Sequence, residues 1–371
     1  MTISTFAFPA TIRFGAGAVA LLPEQLRALG VSRPLLVADA GLTRTAAFAR
    51  VAGLVPEAPV FSDVEPNPTE ANVLAGVEFC RNHGCDGIVG VGGGSPLDAA
   101  KAIRLKLHHP LDLGEYVDAK DGSARITGEL PPMIAIPTTA GTGSEVGRSA
   151  VITLAATRRK AVIFSPRLMP SAALADPELT LDLPPSVTAG SGMDALTHNV
   201  EAYLARGYHP MCDAIARAGA RLAAEALPRV MENPRSVDAR ADMMMAAMMG
   251  AVAFQKGLGA THSLAHPLST QFGMHHGTAN AVLLPAVLEF NRESVRERLE
   301  DLAREWRAGD AVEKVRELNR LCGIRPRIRD YGVPEPALPA LADEAFADAC
   351  HHLNPRPCSR EDLLGLYRRS Y

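Results

Sequence analysis

Short apolar segments alternate with stretches of helical periodicity through the first half of the chain. The segments PLLVAD, GIVGVGG, PMIAIP and AALAD, which lie between residues 34 and 176, have the length and the apolar or β-branched composition of buried strands. Strands that alternate with helices in this way are typical of βαβ units, whose strands form one parallel sheet. The pattern therefore predicts an α/β domain in this half.

The second half of the chain has a different pattern. After the turn LDLPPS at residues 181–186, strand signals fade, and segments such as DAIARAGARLAAEALPRVM and ADMMMAAMMGAVAF follow the 3.6-residue period of a helix. At 371 residues the chain exceeds the ~250–300 residues over which a single core grows. We expect an α/β domain at residues 1–181 and an all-α domain at residues 182–371.

Composition argues against two classes of partner. No run approaches the ~20 apolar residues that cross a bilayer, and the first ten residues lack the basic stretch of an export signal. Lysine and arginine total 38 against 41 aspartate and glutamate residues, with the signs interspersed, so no basic surface for nucleic acid is indicated. The cysteines form no CxxC pair. We expect a cytoplasmic protein that binds neither membranes nor nucleic acid.

A glycine-rich turn follows the strand GIVGV. The turn Gly92–Ser95 leads into SPLDAAKAI, where we predict Ser95 as the helix N-cap, Pro96 as the first helical residue and Asp98 as a capping-box partner. Backbone N–H groups at a helix start bind phosphate, so this turn suits the pyrophosphate of a dinucleotide. A strand-to-helix turn without a ligand would have the same sequence pattern.

A second polar turn, Pro137–Glu145, follows the strand PMIAIP and carries several hydroxyl groups and glycines. At the carboxyl end of a parallel strand, such a turn suits the ribose and phosphate groups of a dinucleotide. Asp39 ends the strand PLLVAD, where a carboxylate can bind the adenosine ribose and repel a 2′-phosphate. NAD is therefore predicted rather than NADP. The acidic residue precedes the glycines, so the order differs from the usual GxGxxG fingerprint.

Histidines concentrate in one short stretch of the helical half. Four of them fall within fifteen residues: His262, His266, His275 and His276. Asp194 and His198 stand four residues apart, so a helix would place both side chains on one face. A carboxylate with several imidazoles and no thiolate suits Fe(II), Zn(II) or a similar divalent ion. One such pair proves little, but the joint pattern predicts a metal site.

Four long motifs resemble those of the iron-containing (group III) alcohol dehydrogenase family. They are GGGSPLDAAKAI, IPTTAGTGSEV, DPELTLDLPPSVTAGSGMDALTHNVEAY and HSLAHPLSTQFGMHHGTANAVLLP. They follow the family's order across residues 12–291, whereas the tail after residue 300 matches loosely. The resemblance implies an α/β Rossmann-like parallel-sheet domain, an all-α C-terminal domain as in the dehydroquinate synthase-like architecture, and an active site in the cleft between them.

The resemblance also implies roles for individual residues. It places the metal ligands at Asp194, His198, His262 and His276, with His266 near the substrate as a proton carrier. It places the cofactor against Asp39, Asn67, Gly93, Gly94, Ser95, Asp98, Thr138, Thr139, Thr142 and Lys160. It implies Fe(II) as the metal, with Zn(II) as the alternative, NAD as the hydride carrier, and a homodimer or larger homo-oligomer.

The chain departs from the family pattern at two places. Arg148 and Ser149 follow SEVG where many members carry a threonine after SEV, and Phe254–Gly259 is one residue shorter than F-x-N-A-x-L-G and contains Lys256. We derive the hypothesis that Arg148 or Lys256 contacts an anionic group of the substrate, with Ser149 and Phe254 beside it. The alternative is a solvated surface lysine and an arginine in a structural ion pair.

The predicted function is metal-dependent hydride transfer between NAD and a small primary alcohol or aldehyde. A metal-dependent hydrolase would use the same cation, but it leaves the glycine turn and Asp39 unexplained. A nucleotide-binding regulatory protein would bind the cofactor without turnover. Maleylacetate reductases resemble the family but lack the full metal set, whose four positions are all present in this sequence.

Overall fold

The computed structural model describes Phe8 and residues 11–371, and backbone contacts divide them into two compact units. The α/β unit comprises Phe8 and residues 11–139 and 143–182, and the helical unit comprises residues 140–142 and 183–371. Thr142, predicted to contact the cofactor, therefore belongs with the helical unit. Residues 1–7, 9 and 10, which carry most of the segment tested for an export signal, lie outside the described residues.

The α/β unit is built on a parallel sheet. The strands of this unit are β1 (Thr11–Phe14), β2 (Pro34–Val37), β3 (Val60–Phe61), β4 (Gly87–Gly92), β5 (Met133–Pro137), β6 (Ser149–Thr153), β7 (Lys160–Phe164) and β8 (Ala172–Ala175). Six of those described form one sheet in the order β1-β8-β5-β4-β2-β3, and every neighbouring pair is parallel. The predicted strands correspond to β2, β4, β5 and β8, so the predicted fold class is confirmed.

Helices cover both faces of this sheet, which explains why its strands are apolar on both sides. The helices are α1 (Leu22–Ala28), α2 (Ala46–Ala52), α3 (Glu70–Asn82) and α4 (Gly94–His108). Leu36 of β2 packs with α1 and α2 residues such as Leu22 and Phe48, whereas its neighbour Leu35 packs with α3 and α4 residues such as Val77. Successive strand residues point to opposite faces, so one strand contributes to two cores.

Three parts of the α/β unit have no counterpart in the predicted elements. The edge strands β1 and β3 are short, and β3 has only two residues. The strands β6 and β7 form an antiparallel hairpin outside the main sheet. A short or exposed strand carries little hydrophobic pattern, so the signal used for the central strands is absent from these segments.

The second unit is helical, as the sequence predicts. Its helices are α5 (Pro185–Leu204), α6 (Pro210–Glu232), α7 (Val237–Ala253), α8 (Ala260–Phe272), α9 (His276–Asn291), α10 (Arg296–Glu305), α11 (Ala311–Leu321), α12 (Leu338–Ala347) and α13 (Arg360–Arg369). Helix α5 is buried along almost its whole length, so it is the central helix of this unit. Among the described residues, no helix has both the length and the apolar character of a membrane span.

Candidate active site

The carboxyl ends of β2, β4 and β5 lie side by side, because β4 pairs with both neighbours in parallel register. The segments that follow these strands, which contain Asp39, Gly93 and Thr138, therefore leave the sheet at one edge. Gly92 has a φ of 147°, a backbone conformation that favours glycine. A Cβ atom on Gly93 would lie 3.0 Å from Oγ1 of Thr139. The glycines thus allow the two predicted cofactor turns to approach each other closely.

The start of α4 corrects one sequence-based prediction. The helix begins at Gly94 with Gly93 as its N-cap residue, and no side chain caps it. The predicted cap at Ser95 and capping box with Asp98 are wrong, and Pro96 is the third helical residue, not the first. The hydroxyl of Ser95 donates instead to the carbonyl oxygen of Pro66 at 2.5 Å, which brings the turn containing Asn67 to the start of α4. Tertiary partners of Ser95 and Asp98 therefore outweigh the local capping bonds.

Asp98 anchors the second polar turn to α4. Its carboxylate accepts hydrogen bonds from Oγ of Ser144 at 2.7 Å and from the backbone N–H of Val151 at 3.0 Å. Burial raises the pKa of the Asp98 carboxyl, and the nearby charges of Lys101 and Lys160 oppose that shift. Asp98 and Lys160, both predicted to face the cofactor, therefore lie close together in the α/β unit.

Lys101 is a buried residue of this region that the sequence reasoning missed. Its ammonium group donates to the carbonyl oxygen and hydroxyl of Ser144, at 2.7 and 2.8 Å, and to the carbonyl oxygen of Ser149 at 2.9 Å. Burial lowers the pKa of Lys101 to about 8 and raises the pKa of the neighbouring Glu145 to about 7. A lysine three residues after Asp98, flanked by the apolar residues Ala99, Ala100, Ala102 and Ile103, was the available signal.

Three of the four predicted metal ligands converge in the helical unit. Ligand atoms of Asp194 on α5, His262 on α8 and His276 on α9 all lie within 4.8 Å of one another. Oδ1 of Asp194 is 3.9 Å from Nε2 of His262 and 3.6 Å from Nε2 of His276. A carboxylate oxygen and two imidazole nitrogens at this spacing can serve as ligands to one divalent cation.

The amide group of Asn280 shows the polarity of this centre. Its nitrogen donates to Oδ1 of Asp194 at 2.7 Å and lies 3.3 Å from Nε2 of His262 and 3.2 Å from Nε2 of His276. The same carboxylate oxygen and two imidazole nitrogens that could hold a cation therefore surround one electropositive NH2 group. The donor set fits Fe(II) and equally Zn(II).

His198, the fourth predicted ligand, lies beside His262. Its ring nitrogens are not among the ligand atoms that lie within 4.8 Å of one another, which belong to Asp194, His262 and His276. Its ring stacks on the ring of His262, with centroids 4.6 Å apart, and burial lowers its pKa to about 4. A neutral imidazole is the form that binds a metal. On α5, Asp194 and His198 share one face as the i, i+4 spacing predicts.

Glu201 contacts the metal-ligand set and was not among the predicted site residues. Its carboxylate accepts a hydrogen bond from Nδ1 of His262 at 2.7 Å. Burial tends to raise the pKa of Glu201, but hydrogen bonds from His262 and Thr261 hold it below its ordinary value. Because an ionised carboxylate only accepts, Nδ1 of His262 carries a proton, and Nε2 is the ring nitrogen left to bind a metal ion. The spacing Asp194-x₆-Glu201, two helical turns, was the available signal.

His266, the predicted proton carrier, lies next to the same cluster. Its ring stacks on the ring of His276 with centroids 5.2 Å apart. Nδ1 of His266 donates to Oδ2 of Asp348 at 2.8 Å, and Asp348 also accepts from the hydroxyl of Ser263. Asp348 therefore fixes the orientation of His266. It stands 82 residues away in the sequence, so no local motif could indicate this pair.

The residues predicted to contact the substrate have different environments. The ring of Phe254 lies 5.3 Å from the ring of His198, beside the metal-ligand set. Lys256 is buried, and its ammonium group donates to Oδ1 of Asp213 at 2.5 Å and to the carbonyl oxygen of Tyr203 at 3.0 Å. This geometry favours a structural ion pair for Lys256. The alternative had assigned the ion pair to Arg148 and a solvated surface position to Lys256; because Lys256 is buried, the solvated position is wrong.

Arg148 and Ser149 lie in the α/β unit. The guanidinium group of Arg148 lies over the ring of Phe164, 5.1 Å from its centroid. Ser149 opens β6, and its carbonyl oxygen accepts the hydrogen bond from Lys101 described above. Arg148 is half-buried, so it keeps some access to solvent.

Two family descriptions match this chain along nearly its whole length. Residues 9–177 match the family described as iron-containing alcohol dehydrogenase, and residues 188–371 match the C-terminal part of the Fe-containing alcohol dehydrogenase family. The 4-hydroxybutyrate dehydrogenase of Cupriavidus necator is 41% identical over 373 residues, covering 97% of each protein.

Solved structures agree in fold. A structure of 1,3-propanediol oxidoreductase has a TM-score of 0.95 and 35% identity, covering 100% of both chains. The sulfoacetaldehyde reductase of Bifidobacterium kashiwanohense, solved in complex with NAD+, has a TM-score of 0.89 and 29% identity, covering 100% of this chain and 99% of its own. The fold and the sequence therefore indicate the same family.

Proposed function

This chain belongs to the iron-containing alcohol dehydrogenase family, and we propose that it transfers a hydride between NAD and a small primary alcohol or aldehyde at the cluster of Asp194, His198, His262 and His276. The family and its dehydrogenase relatives support iron and NAD as cofactors. A cytoplasmic location and a homodimer or larger oligomer stay predictions.

One observation carries the proposal. Ligand atoms from Asp194, His262 and His276 reach within 4.8 Å of one another from three different helices. Residues so far apart in sequence come this close only if the fold holds them there. Burial of a carboxylate and imidazoles costs free energy unless a charged partner offsets it. A divalent cation is the partner that this donor set suits.

The residues around the cluster have distinct roles in the proposed reaction. When bound, the cation polarises the substrate oxygen and the nicotinamide ring accepts or returns the hydride. Asp348 holds the Nδ1 proton of His266, which leaves Nε2 of that ring as the atom that exchanges a proton with the substrate hydroxyl. Phe254 provides an apolar surface next to His198 that keeps water away from the reacting carbon.

Metal dependence of NADH formation tests this proposal. Protein stripped of metal and restored with Fe(II) or Zn(II) is expected to raise the absorbance at 340 nm when supplied with NAD and 4-hydroxybutyrate, 1,3-propanediol or 1-butanol. The stripped protein is expected to give no such rise. Equal rates with and without the metal would contradict the proposal.

Three other functions predict different results in these assays or in an NADH-binding assay. A metal-dependent hydrolase would not shift the fluorescence of added NADH, because it needs no dinucleotide site. A regulatory protein would bind NADH but would give no metal-dependent change at 340 nm with any alcohol. A maleylacetate reductase-like enzyme would work without the metal, which the intact set of ligand positions disfavours.

Asp39 is proposed to select NAD over NADP, and Asp39→Asn tests this role. Oδ1 of Asp39 accepts the backbone N–H of Leu42 at 2.8 Å; asparagine keeps that acceptor and removes only the charge. We expect the ratio of kcat/KM for NADP to that for NAD to rise about 10–100-fold, roughly 1.4–2.8 kcal/mol. Initial rates with both cofactors measure it, with Glu78→Gln as a charge-matched surface control. An unchanged ratio would assign cofactor choice to other residues.

The proposed substrate carries an anionic group at the end opposite its alcohol or aldehyde. The names of two similar proteins, 4-hydroxybutyrate dehydrogenase and sulfoacetaldehyde reductase, support this class. Because the buried ammonium group of Lys256 already donates to Asp213 and to the carbonyl oxygen of Tyr203 inside the helical unit, Arg148 is the better candidate for the contact. A guanidinium group binds carboxylate and sulfonate oxygens through paired N–H donors.

Arg148→Met tests the proposed contact with the anionic group. We expect kcat/KM for 4-hydroxybutyrate to fall about 10–100-fold, the value of a charge-assisted hydrogen bond, while kcat/KM for 1-butanol changes by less than about threefold. Arg159→Met, at an exposed arginine of the β6–β7 connection, is the control. If both substrates lost activity equally in Arg148→Met, the arginine would have a structural role only.

A further inference from the structure

Glu201 lies on the same face of α5 as two predicted metal ligands. It follows Asp194 by seven residues and His198 by three, so the three side chains form one row along the helix. The side chain of Glu201 is 4% exposed, and its two carboxylate oxygens accept three hydrogen bonds. These come from Nδ1 of His262 at 2.7 Å, from the backbone N–H of Thr261 at 2.7 Å and from the backbone N–H of Gly259 at 3.0 Å.

These three hydrogen bonds let one carboxylate bind both the first turn of α8 and the imidazole of His262, a residue of that turn. The N–H groups of Gly259 and Thr261 are among those that a helix start leaves without intrahelical partners, and the same carboxylate satisfies them and His262. The negative charge is also favourable at a helix N-terminus. Glu201 therefore fixes at once where α8 begins and which way the imidazole of His262 faces.

We propose that Glu201 is a positioning residue for the metal: it holds the proton of His262 on Nδ1 and turns Nε2 toward Asp194 and the bound cation. This inference rests on the proposed function of the cluster. A carboxylate that accepts from the second nitrogen of a ligating imidazole makes that imidazole more basic and restricts its rotation. Both effects strengthen metal binding without direct contact between Glu201 and the ion.

A purely structural role for Glu201 as a helix cap is the competing explanation, and Asn354 separates the two. Oδ1 of Asn354 accepts the backbone N–H of Ala260 at 3.2 Å; this bond caps the same helix start. Asn354 has no hydrogen bond to His262 among its described contacts. A variant at Asn354 therefore weakens the cap and leaves the imidazole bond in place.

The experiment measures affinity for Zn(II) and Co(II) on stripped protein by competition with a chelating dye, together with Tm. Glu201→Gln is expected to weaken affinity about 10–100-fold and to shift the visible absorption of the Co(II) form, because the amide alters the bond to Nδ1. Asn354→Ala is expected to lower Tm while affinity stays within about threefold of wild type. Glu201→Asp keeps the charge with a shorter reach, and is expected to give a smaller loss of affinity.

The outcomes separate this inference from the proposed function. If wild-type protein binds neither ion, the metal centre itself is wrong and the role of Glu201 is wrong with it. If wild type binds but Glu201→Gln retains wild-type affinity and the wild-type Co(II) spectrum, only the positioning role is overturned. If Glu201→Gln does not fold, Glu201→Asp decides the question. Wild-type metal affinity and a wild-type Co(II) spectrum in Glu201→Asp would contradict the proposal, whereas weaker metal binding by Glu201→Asp at an unchanged Tm would support it.

Discussion

Alanine at His262 is expected to lower kcat/KM for alcohol oxidation with NAD by about a thousandfold or more. The ligand nitrogen of His262 lies within 4.8 Å of the ligand atoms of Asp194 and His276. A catalytic cation contributes several kcal/mol to transition-state stabilisation, and each 1.4 kcal/mol is about a factor of ten in rate. Loss of one ligand should therefore remove both the ion and most of the activity.

The measurement for His262→Ala combines steady-state rates at 340 nm with metal content. His352→Ala, at an exposed histidine of the same unit, is the control and should keep both. NADH binding, followed by its fluorescence, should survive in His262→Ala because the predicted dinucleotide residues other than Thr142 lie in the α/β unit. Near wild-type activity in a variant without bound metal would contradict the proposed chemistry.

Gly277→Ala is expected to destabilise the helical unit strongly. A Cβ atom at this position would lie 2.0 Å from the carbonyl oxygen of Gly190 and 2.9 Å from Cβ of Asp194. The obstacle is backbone, so α5 and α9 must separate, and overpacking of this kind costs about 3 kcal/mol or more. Because α9 carries His276 and α5 carries Asp194, the same separation should weaken metal binding.

Urea unfolding of the stripped protein and metal affinity together measure the effect of Gly277→Ala. Gly365→Ala is a matched control in α13, where a new Cβ would meet no atom within 4 Å and helix propensity predicts a gain of up to about 1 kcal/mol. If Gly277→Ala proved as stable as Gly365→Ala, the close approach of the two helices would be wrong.

The parts of the fold that were predictable are those with a strong local pattern. The central strands β2, β4, β5 and β8 are buried on both faces, so their apolar runs are unambiguous. The pair Asp194 and His198 was predictable because a helix converts a four-residue spacing into a shared face. His262 and His276 lie on different helices, α8 and α9, so no single helix face relates them, and the family resemblance implied their place in the metal-ligand set.

The parts that were not predictable depend on contacts between distant residues. Asp348 reaches His266 across 82 residues, and Lys256 finds Asp213 across 43. The supposed cap at Ser95 was wrong for the same reason, since its hydroxyl binds Pro66 instead of the helix that follows it. Local propensity cannot rank such tertiary partners, which only the folded chain brings together.

Diffraction from crystals loaded with Fe(II) or Zn(II), with anomalous data at the metal edge, tests the central claim most directly. We predict one anomalous peak about 2.0–2.3 Å from a carboxylate oxygen of Asp194 and from the imidazole nitrogens of His198, His262 and His276. A peak elsewhere, or these four side chains directed away from a common centre in the loaded crystal, would contradict the account.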